Sequence, residues 1–312
     1  MLPLKFVTLD VFTSKPFSGN PLAVVFLPDS TATPLTQRQK HIITLEFNLS
    51  ETIFVYPVQD PTKRTIDIFT LECEIPFAGH PTIGAASWFL RLSGDAVTSL
   101  VTKSGEIPIR IADGDSEAVA AQIAHNTRIH AKRFPLADLL HLHPTLKTYF
   151  PDASTSFPLF SIVQGMSQTF IELPSLEALA EVTRATGGDL LSAENDQYLD
   201  AGWQSGLICT YFFVRGVADV TGQTVIRTRM ILGSLEDPAT GSAASGLASY
   251  LALTEGSTGQ ECRYHFVQGV EMGRRSDIGV QVVLGVERNI EQVVLTGTAV
   301  QVSEGTISVP DV

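Results

Sequence analysis

Two short segments of this chain combine groups that can hold an anion and handle a proton. The first is Pro76-Phe77-Ala78-Gly79-His80-Pro81, running into Thr82-Ile83-Gly84-Ala85-Ala86. The second is Asp237-Pro238-Ala239-Thr240-Gly241-Ser242, running into Ala243-Ala244-Ser245-Gly246-Leu247. Each sets Gly, Pro and a small polar group just before an apolar helix of small residues. A helix start presents unpaired backbone N–H groups and the positive end of a dipole. Two of them predict two anion-binding ends. Pro81 at the first helical position would make His80 the N-cap. His is a mediocre cap beside Ser, Thr, Asp or Asn, which leaves two even readings, a structural His or another job such as hydrogen bonding a ligand. Asp237-Pro238 reads equally as turn chemistry, with Ser242 satisfying helix N–H groups. The Ala-Thr-Gly-Ser run lacks the lysine and the spacing of a phosphate loop, so nucleotide binding is disfavoured.

Other residues carry two readings each. Glu51 opens an otherwise apolar strand after Asn48-Leu49-Ser50; it is either an exposed strand-edge carboxylate or a partly buried general acid/base with a raised pKa. Asn20, between Gly19 and Pro21, is a turn residue or a ligand contact. His141 and His143 share a face of an extended segment, but no third ligand is evident, so surface histidines are favoured over a metal site. Arg227 and Arg229 alternate along a strand; they could pair with a carboxylate, although a solvated strand face is the favoured reading.

These residues need a scaffold. The chain has 312 residues, 44% of them hydrophobic and only 17% charged, with a mean hydropathy of +0.17. That permits one large or two medium domains with a substantial core. The net charge of −12 and the absence of a basic cluster beyond Lys132-Arg133 and Arg274-Arg275 argue against nucleic-acid binding. Cys73, Cys209 and Cys262 show neither CxxC spacing nor an even count, which disfavours a disulfide framework and a zinc site. No apolar run reaches the ~18 residues of a membrane span. The opening run has no signal-peptide pattern, so a cytoplasmic protein is expected, and the Asn48-Leu49-Ser50 sequon carries little weight.

Strands are expected at 5–12, 22–27, 51–56, 64–70, 98–101, 107–111 and 118–123 in the first half. In the second half they are expected at 159–164, 169–173, 207–214, 224–231, 264–267, 280–284, 292–298 and 306–309. Thr36 and Gln39 match a capping box for a helix ending at Asn48. Ser175 caps a helix to about Thr186, and 131–151 reads as mixed connection. The helices after the two turns, 81–92 and the one ending near Thr254, are apolar on nearly every side apart from Arg91, so each must be enclosed. The halves repeat the same element order at an offset of about 140 to 160 residues, as an internal duplication does. The expected unit is a strongly curved sheet around a central helix, made twice.

Taken together and in order, four segments carry a resemblance. They are Phe17-Ser18-Gly19-Asn20-Pro21-Leu22-Ala23-Val24, Asn48-Leu49-Ser50-Glu51-Thr52, Pro76–Pro81 and Glu236–Ala243. This set resembles the PhzF-like phenazine-biosynthesis isomerase family. The resemblance implies an α/β (α+β) fold of the diaminopimelate-epimerase type: two pseudo-symmetric domains, each a barrel-like, mostly antiparallel or mixed sheet around a central apolar helix, with the active site in the cleft between them. The expected division is 1–125 and 126–299, with a strand at about 300–312 able to return to the first. The resemblance implies no metal, nucleotide or other cofactor, a small carboxylated metabolite as substrate, and a homodimer. By residue, it implies Glu51 as acid/base, His80, Asp237 and Ser242 as substrate-contacting and proton-handling partners, Gly79 and Gly241 as backbone N–H donors, and Asn20 in the matching loop.

Some departures bear on the chemistry. Epimerases and racemases of this fold that use a thiol pair place one beside each glycine turn; here those neighbourhoods hold Ala78 and Pro238-Ala239. Cys73 lies five residues before Ala78, and Cys209 sits in an apolar strand where an inert thiol is expected. Leu71 stands where relatives often have Pro. The expected activity is therefore movement of a proton and double bond on a small carboxylated substrate by Glu51. A racemase or epimerase is the disfavoured alternative, and a non-catalytic binding or partner protein on the same scaffold is the alternative from another class.

Overall fold

A computed structural model describes residues 3–29, 34–194, 197–220 and 222–311; Met1 and Leu2 of the opening run lie outside them. The chain divides into two compact units, Met1–Ile123 with Leu295–Val312, and Ala124–Val294.

In the first unit the strand Leu4–Val11 pairs antiparallel with Ala299–Ile307 on one side and with Asn20–Phe26 on the other. Asn20–Phe26 runs parallel to Glu51–Val55, which pairs antiparallel with Lys63–Thr70. Lys63–Thr70 pairs with the short strand Glu74–Ile75 and, in parallel, with Ser99–Thr102. Ser99–Thr102 leads antiparallel into Gly105–Ala112, and that into Asp115–Gln122. All nine residues of the helix Gly79–Ser87 are buried. The helix touches strands from both ends of this order, Ala299–Ile307 and Asp115–Gln122 among them, so the sheet curves around it. An apolar helix has no exposed face to offer, and a curved sheet is what encloses it.

The second unit repeats the pairing. Ser156–Val163 is antiparallel to Met166–Glu172, which runs parallel to Leu207–Ala218. Leu207–Ala218 is antiparallel to Thr224–Leu232, which takes Leu235–Asp237 on one side and, in parallel, Glu261–Gln268. Glu261–Gln268 leads antiparallel into Ser276–Leu284. The helix Gly241–Glu255 packs on four of these strands. Strand for strand this is the pattern of the first unit: Arg128–Pro135 flanks Ser156–Val163 as Ala299–Ile307 flanks Leu4–Val11, and the short Leu191–Ser192 on Leu207–Ala218 is an addition.

Each sheet also carries a layer on its outer face. In the first unit it is the helix Gln37–Phe47, where the capping box forms as the sequence predicts: Thr36 Oγ1 accepts from Gln39 N and Gln39 Oε1 from Thr36 N. Asn48 ends it in the left-handed region, φ 51°. Ile43 packs there on Leu4, Val25, Phe54 and Phe69. In the second unit the stretch 131–151, expected as mixed connection, holds the end of Arg128–Pro135, the helix Leu136–Leu142 and a 3₁₀ turn, Pro144–Tyr149. The helix expected over 175–186 has its Ser175 cap but ends at Ala180. Beyond it the backbone bonds elsewhere: Thr183 O accepts from His143 Nδ1 and Ala185 N donates to Gly233 O. The helix expected over 81–92 is α only to Ser87 and continues as a π-helix, Trp88–Leu92.

Candidate active site

In the first unit three element starts converge. The helix Gln37–Phe47 stops at Asn48, and two residues later Ser50 enters the strand that Glu51 opens. Glu51 lies in register with Leu22 on one side and Thr70 on the other. Asn20 opens the strand Asn20–Phe26, and the loop before it is tightly set. Gly19 has φ +67°, and a Cβ there would lie 2.3 Å from Val11 O. The buried Asp10 carboxylate accepts the Phe17 N–H at 2.6 Å. His80 arrives on the helix that follows Glu74–Ile75.

These placements bring Glu51, His80 and Asn20 together. Glu51 Oε2 lies 3.5 Å from His80 Nδ1, and Asn20 Nδ2 is 3.4 Å from the same nitrogen. Ser50 Oγ donates to Asn20 Oδ1 at 3.4 Å. Asn20 and His80 are buried, while the Glu51 side chain retains 17% exposure. Glu51 Oε2 itself is buried and has no hydrogen-bond partner. Burial pushes the Glu51 carboxyl up to about 7; the Ser50 hydroxyl pulls it back in part, and the charge of Glu72 adds to the rise. An acid with that pKa holds both protonation states at neutral pH, as a group that takes and returns protons requires.

His80 is not the N-cap expected of it. Ala78 holds that position, with no side-chain cap, and Gly79, His80 and Pro81 are the first three helical residues. Pro at the third position is as harmless as at the first, because that N–H has no intrahelical partner either. The first-turn N–H groups of Gly79 and His80 thus have no N-cap side chain over them.

In the second unit Asp237 ends the strand Leu235–Asp237 and is buried. Thr240 is the N-cap of Gly241–Glu255, but its side chain does not cap the helix. Thr240 Oγ1 donates instead to Asp237 Oδ2 at 2.6 Å. Gly241 and Ser242 are the first two helical residues, so Ser242 is not the cap either. Cys209 is buried in the neighbouring strand; desolvation, aided by the negative Asp237, pushes its thiol up to about 12. A thiol held protonated in this way is a poor nucleophile or base.

Two other groups behave differently from the sequence reading. Arg227 and Arg229 do not form a solvated face. Arg229 is buried and paired bidentately with Glu236 at 2.7 and 3.0 Å, and Arg227 reaches Glu271 at 2.6 Å. The cause is the helix Leu176–Ala180, whose last carbonyls, Leu179 O and Ala180 O, also accept from Arg229. Of the histidine pair, His141 is exposed, but His143 is fully buried. Among the described residues no group of three or more metal-ligating side chains is assembled.

A third arrangement was invisible in the sequence. Ser161 Oγ lies 2.9 Å from His130 Nε2, with Asp200 Oδ2 3.8 Å from His130 Nδ1. This has the membership of a nucleophilic triad but not its polarity. The Asp200 backbone N–H donates to Nδ1 at 3.1 Å, so Nε2 carries the ring proton and donates to Ser161. The Asp200 carboxylate is engaged by Arg128. The trio is a structural network. Ser50, beside Asn20 in the first unit, and Thr240 and Gln268, beside Asp237 in the second, were by contrast not singled out from the sequence; for Gln268 the one available signal was the Gln268-Gly269 pair closing an otherwise apolar strand end.

Comparison with known proteins shows the family and the fold. A family model described as phenazine biosynthesis-like protein matches residues 9–305. A trans-2,3-dihydro-3-hydroxyanthranilate isomerase of Pseudomonas chlororaphis is 29% identical over 308 residues, covering 97% of this chain and 98% of the relative. The crystal structure of a PhzF-family phenazine biosynthesis protein of Bacillus anthracis superposes with a TM-score of 0.76 at 21% identity, covering 99% and 100% of the two chains. A probable proline racemase of Agrobacterium radiobacter shares the fold at 11% identity, TM-score 0.58, covering 98% and 93%.

Proposed function

The chain belongs to the phenazine biosynthesis-like family and is an isomerase, and we propose that it moves a proton, and with it a double bond, on a small carboxylated substrate without a cofactor. The observation that carries this reading is Glu51: a carboxyl with one buried, unpartnered oxygen, a pKa of about 7, and His80 Nδ1 at 3.5 Å. In its ionised form it takes a proton from a carbon made acidic by the substrate's own carboxyl group or double bond. The electron pair moves into the adjacent carbon–carbon bond, and the protonated carboxyl returns a proton to the far end of the shifted double bond. The formula is unchanged, so no oxidant or reductant is needed.

In this reading the N–H groups of Gly79 and Gly241 bind the substrate carboxylate and offset the charge that develops on it. Asp237 and Ser242 contact the same substrate, and His80 and Asn20 hold the proton-transfer pair. A homodimer working in the cytoplasm also belongs to the reading; the low charged content supports the dimer, and sedimentation tests it.

The first substrate to offer is trans-2,3-dihydro-3-hydroxyanthranilate, after the name of the Pseudomonas relatives, followed by a panel of small unsaturated carboxylates. Turnover in D₂O is followed by NMR. The expected result is a moved double bond with turnover ~10²- to 10⁴-fold lower in Glu51→Gln, whose fold is intact by circular dichroism. Normal turnover by a folded Glu51→Gln overturns the assignment. A product inverted at one carbon with its double bond unmoved would make the enzyme an epimerase.

A further inference from the structure

The turn that carries Asp237 is held by a residue outside it. Gln268, the last residue of Glu261–Gln268, is fully buried. Its Nε2 donates to Asp237 O at 2.8 Å and to Thr240 Oγ1 at 3.0 Å. Its Oε1 accepts from Tyr211 Oη at 3.1 Å. The Asp237 carbonyl can only accept and the Thr240 backbone N–H, 3.4 Å from Oε1, can only donate, which fixes which way round the Gln268 amide lies; burial keeps the Tyr211 hydroxyl neutral and so able to donate to Oε1. With Nε2–H pointed at Thr240 Oγ1, the Thr240 hydroxyl turns its own hydrogen to Asp237 Oδ2 at 2.6 Å. The backbone agrees: a Cβ on Gly269, at φ +74°, would lie 2.7 Å from Pro238 O and 2.5 Å from Arg274 O. The end of this strand is seated directly on the turn. The titratable groups facing Asp237 from Leu207–Ala218, Cys209 and Tyr211, are both held neutral by burial.

We propose that Gln268 is a positioning residue for the reaction: through Thr240 it presents Asp237 as an ionised hydrogen-bond acceptor, and through Asp237 O it fixes the turn that opens the helix Gly241–Glu255. This rests on the reading of Asp237 as a substrate contact. A hydrogen bond donated to a carboxylate stabilises the charged form, and an error of about 1 Å in a positioned group can cost ~10²-fold in rate.

The test uses the full chain. The Asp237 carboxyl is titrated by carbon-13 NMR, its signal identified by loss in Asp237→Asn. Gln268→Leu is expected to move the titration upward by about one pH unit and to lower turnover by up to ~10²-fold. Thr240→Val is expected to do the same, Thr240→Ser to restore the wild-type midpoint, and the double variant to shift no further than Thr240→Val alone. An unchanged Asp237 midpoint in folded Gln268→Leu overturns the inference. If that variant does not fold, an unchanged midpoint in Thr240→Val overturns it equally. A shifted midpoint together with normal turnover by Asp237→Asn upholds the hydrogen-bond chain but overturns both the functional reading of Asp237 and a catalytic purpose for Gln268.

Discussion

Glu51 is costly to the fold. Its ordinary carboxyl pKa is 4.5 and burial pushes it to about 7, so the native state holds a proton that the unfolded chain has released. A group raised in this way lends stability in full below pH 4.5 and loses it as pH rises through 7. The interval is worth about 3 kcal/mol. Glu51→Gln, which keeps the shape and carries no charge, is therefore expected to be more stable than wild type above pH 7 by up to that amount. The advantage should fade toward pH 4.5. Urea midpoints of the two proteins at pH 5 and pH 8 check this; an equal gap at both would mean that the carboxyl is solvated like an ordinary glutamate. A destabilising residue kept at such a place fits a functional demand better than a structural one. Local pattern alone favours an exposed carboxylate at Glu51, and only the family resemblance implies the acid/base, because the pattern fixes that a carboxylate opens an apolar strand but not what lies over it. What lies over it is His80, 29 residues on, brought back by the Glu74–Ile75 strand.

Elements show what local patterns reveal and what they hide. The capping box at Thr36 and the stop at Asn48 were readable because every partner lies within a few residues. The burial of Arg229 was not: alternation puts Arg227 and Arg229 on one face, but only the docking of Leu176–Ala180 decides that the face is covered. That docking makes a prediction. Arg229→Leu leaves Glu236 buried beside two helix carbonyls without their donor, and removing one partner of a buried pair costs ~3–5 kcal/mol. Thermal unfolding should show a large loss for Arg229→Leu and a smaller one for the double variant Arg229→Leu with Glu236→Leu, which removes both charges. His143, at the end of Leu136–Leu142, works in the opposite sense to Glu51. Desolvation pushes it down to about 4, against the Thr183 carbonyl that accepts from its Nδ1. Its contribution is present above pH 6.5 and is lost as pH falls toward 4, again about 3 kcal/mol. His143→Leu is expected to flatten that part of the stability profile, measured as urea midpoints between pH 7 and pH 4.5.

At the scale of the whole molecule, duplication is the organising fact, and it was legible because both copies keep the same order of strands, turn and apolar helix. The copies differ in how the chain closes them. The second unit is one continuous stretch, Ala124–Val294, and its outer core draws on Phe134, Leu139, Phe157, Leu179 and Phe212, all from within that stretch. The first is built from both ends of the chain. Leu4–Val11 has Ala299–Ile307 as one of its two neighbours, and Ile307 and Val309 pack on the cluster around Ile43 and Phe54. Pairing these ends closes a loop of nearly the whole chain, the kind of contact that forms late because its entropy must be overcome first. A fragment of residues 124–294 is therefore expected to unfold cooperatively by itself, with His143 setting its loss of stability at low pH. A fragment of residues 1–123 should lack native structure, since Leu4–Val11 would be left as an unpaired, half-apolar edge. Adding a peptide of residues 295–312 should rescue it in part, seen as a gain of strand signal by circular dichroism and as protection of the Leu4–Val11 amides from hydrogen exchange. Equal folding of 1–123 with and without the peptide would show that the terminal strand contributes little to this unit. Failure of 124–294 to fold would show that the stability of the second copy depends on the first.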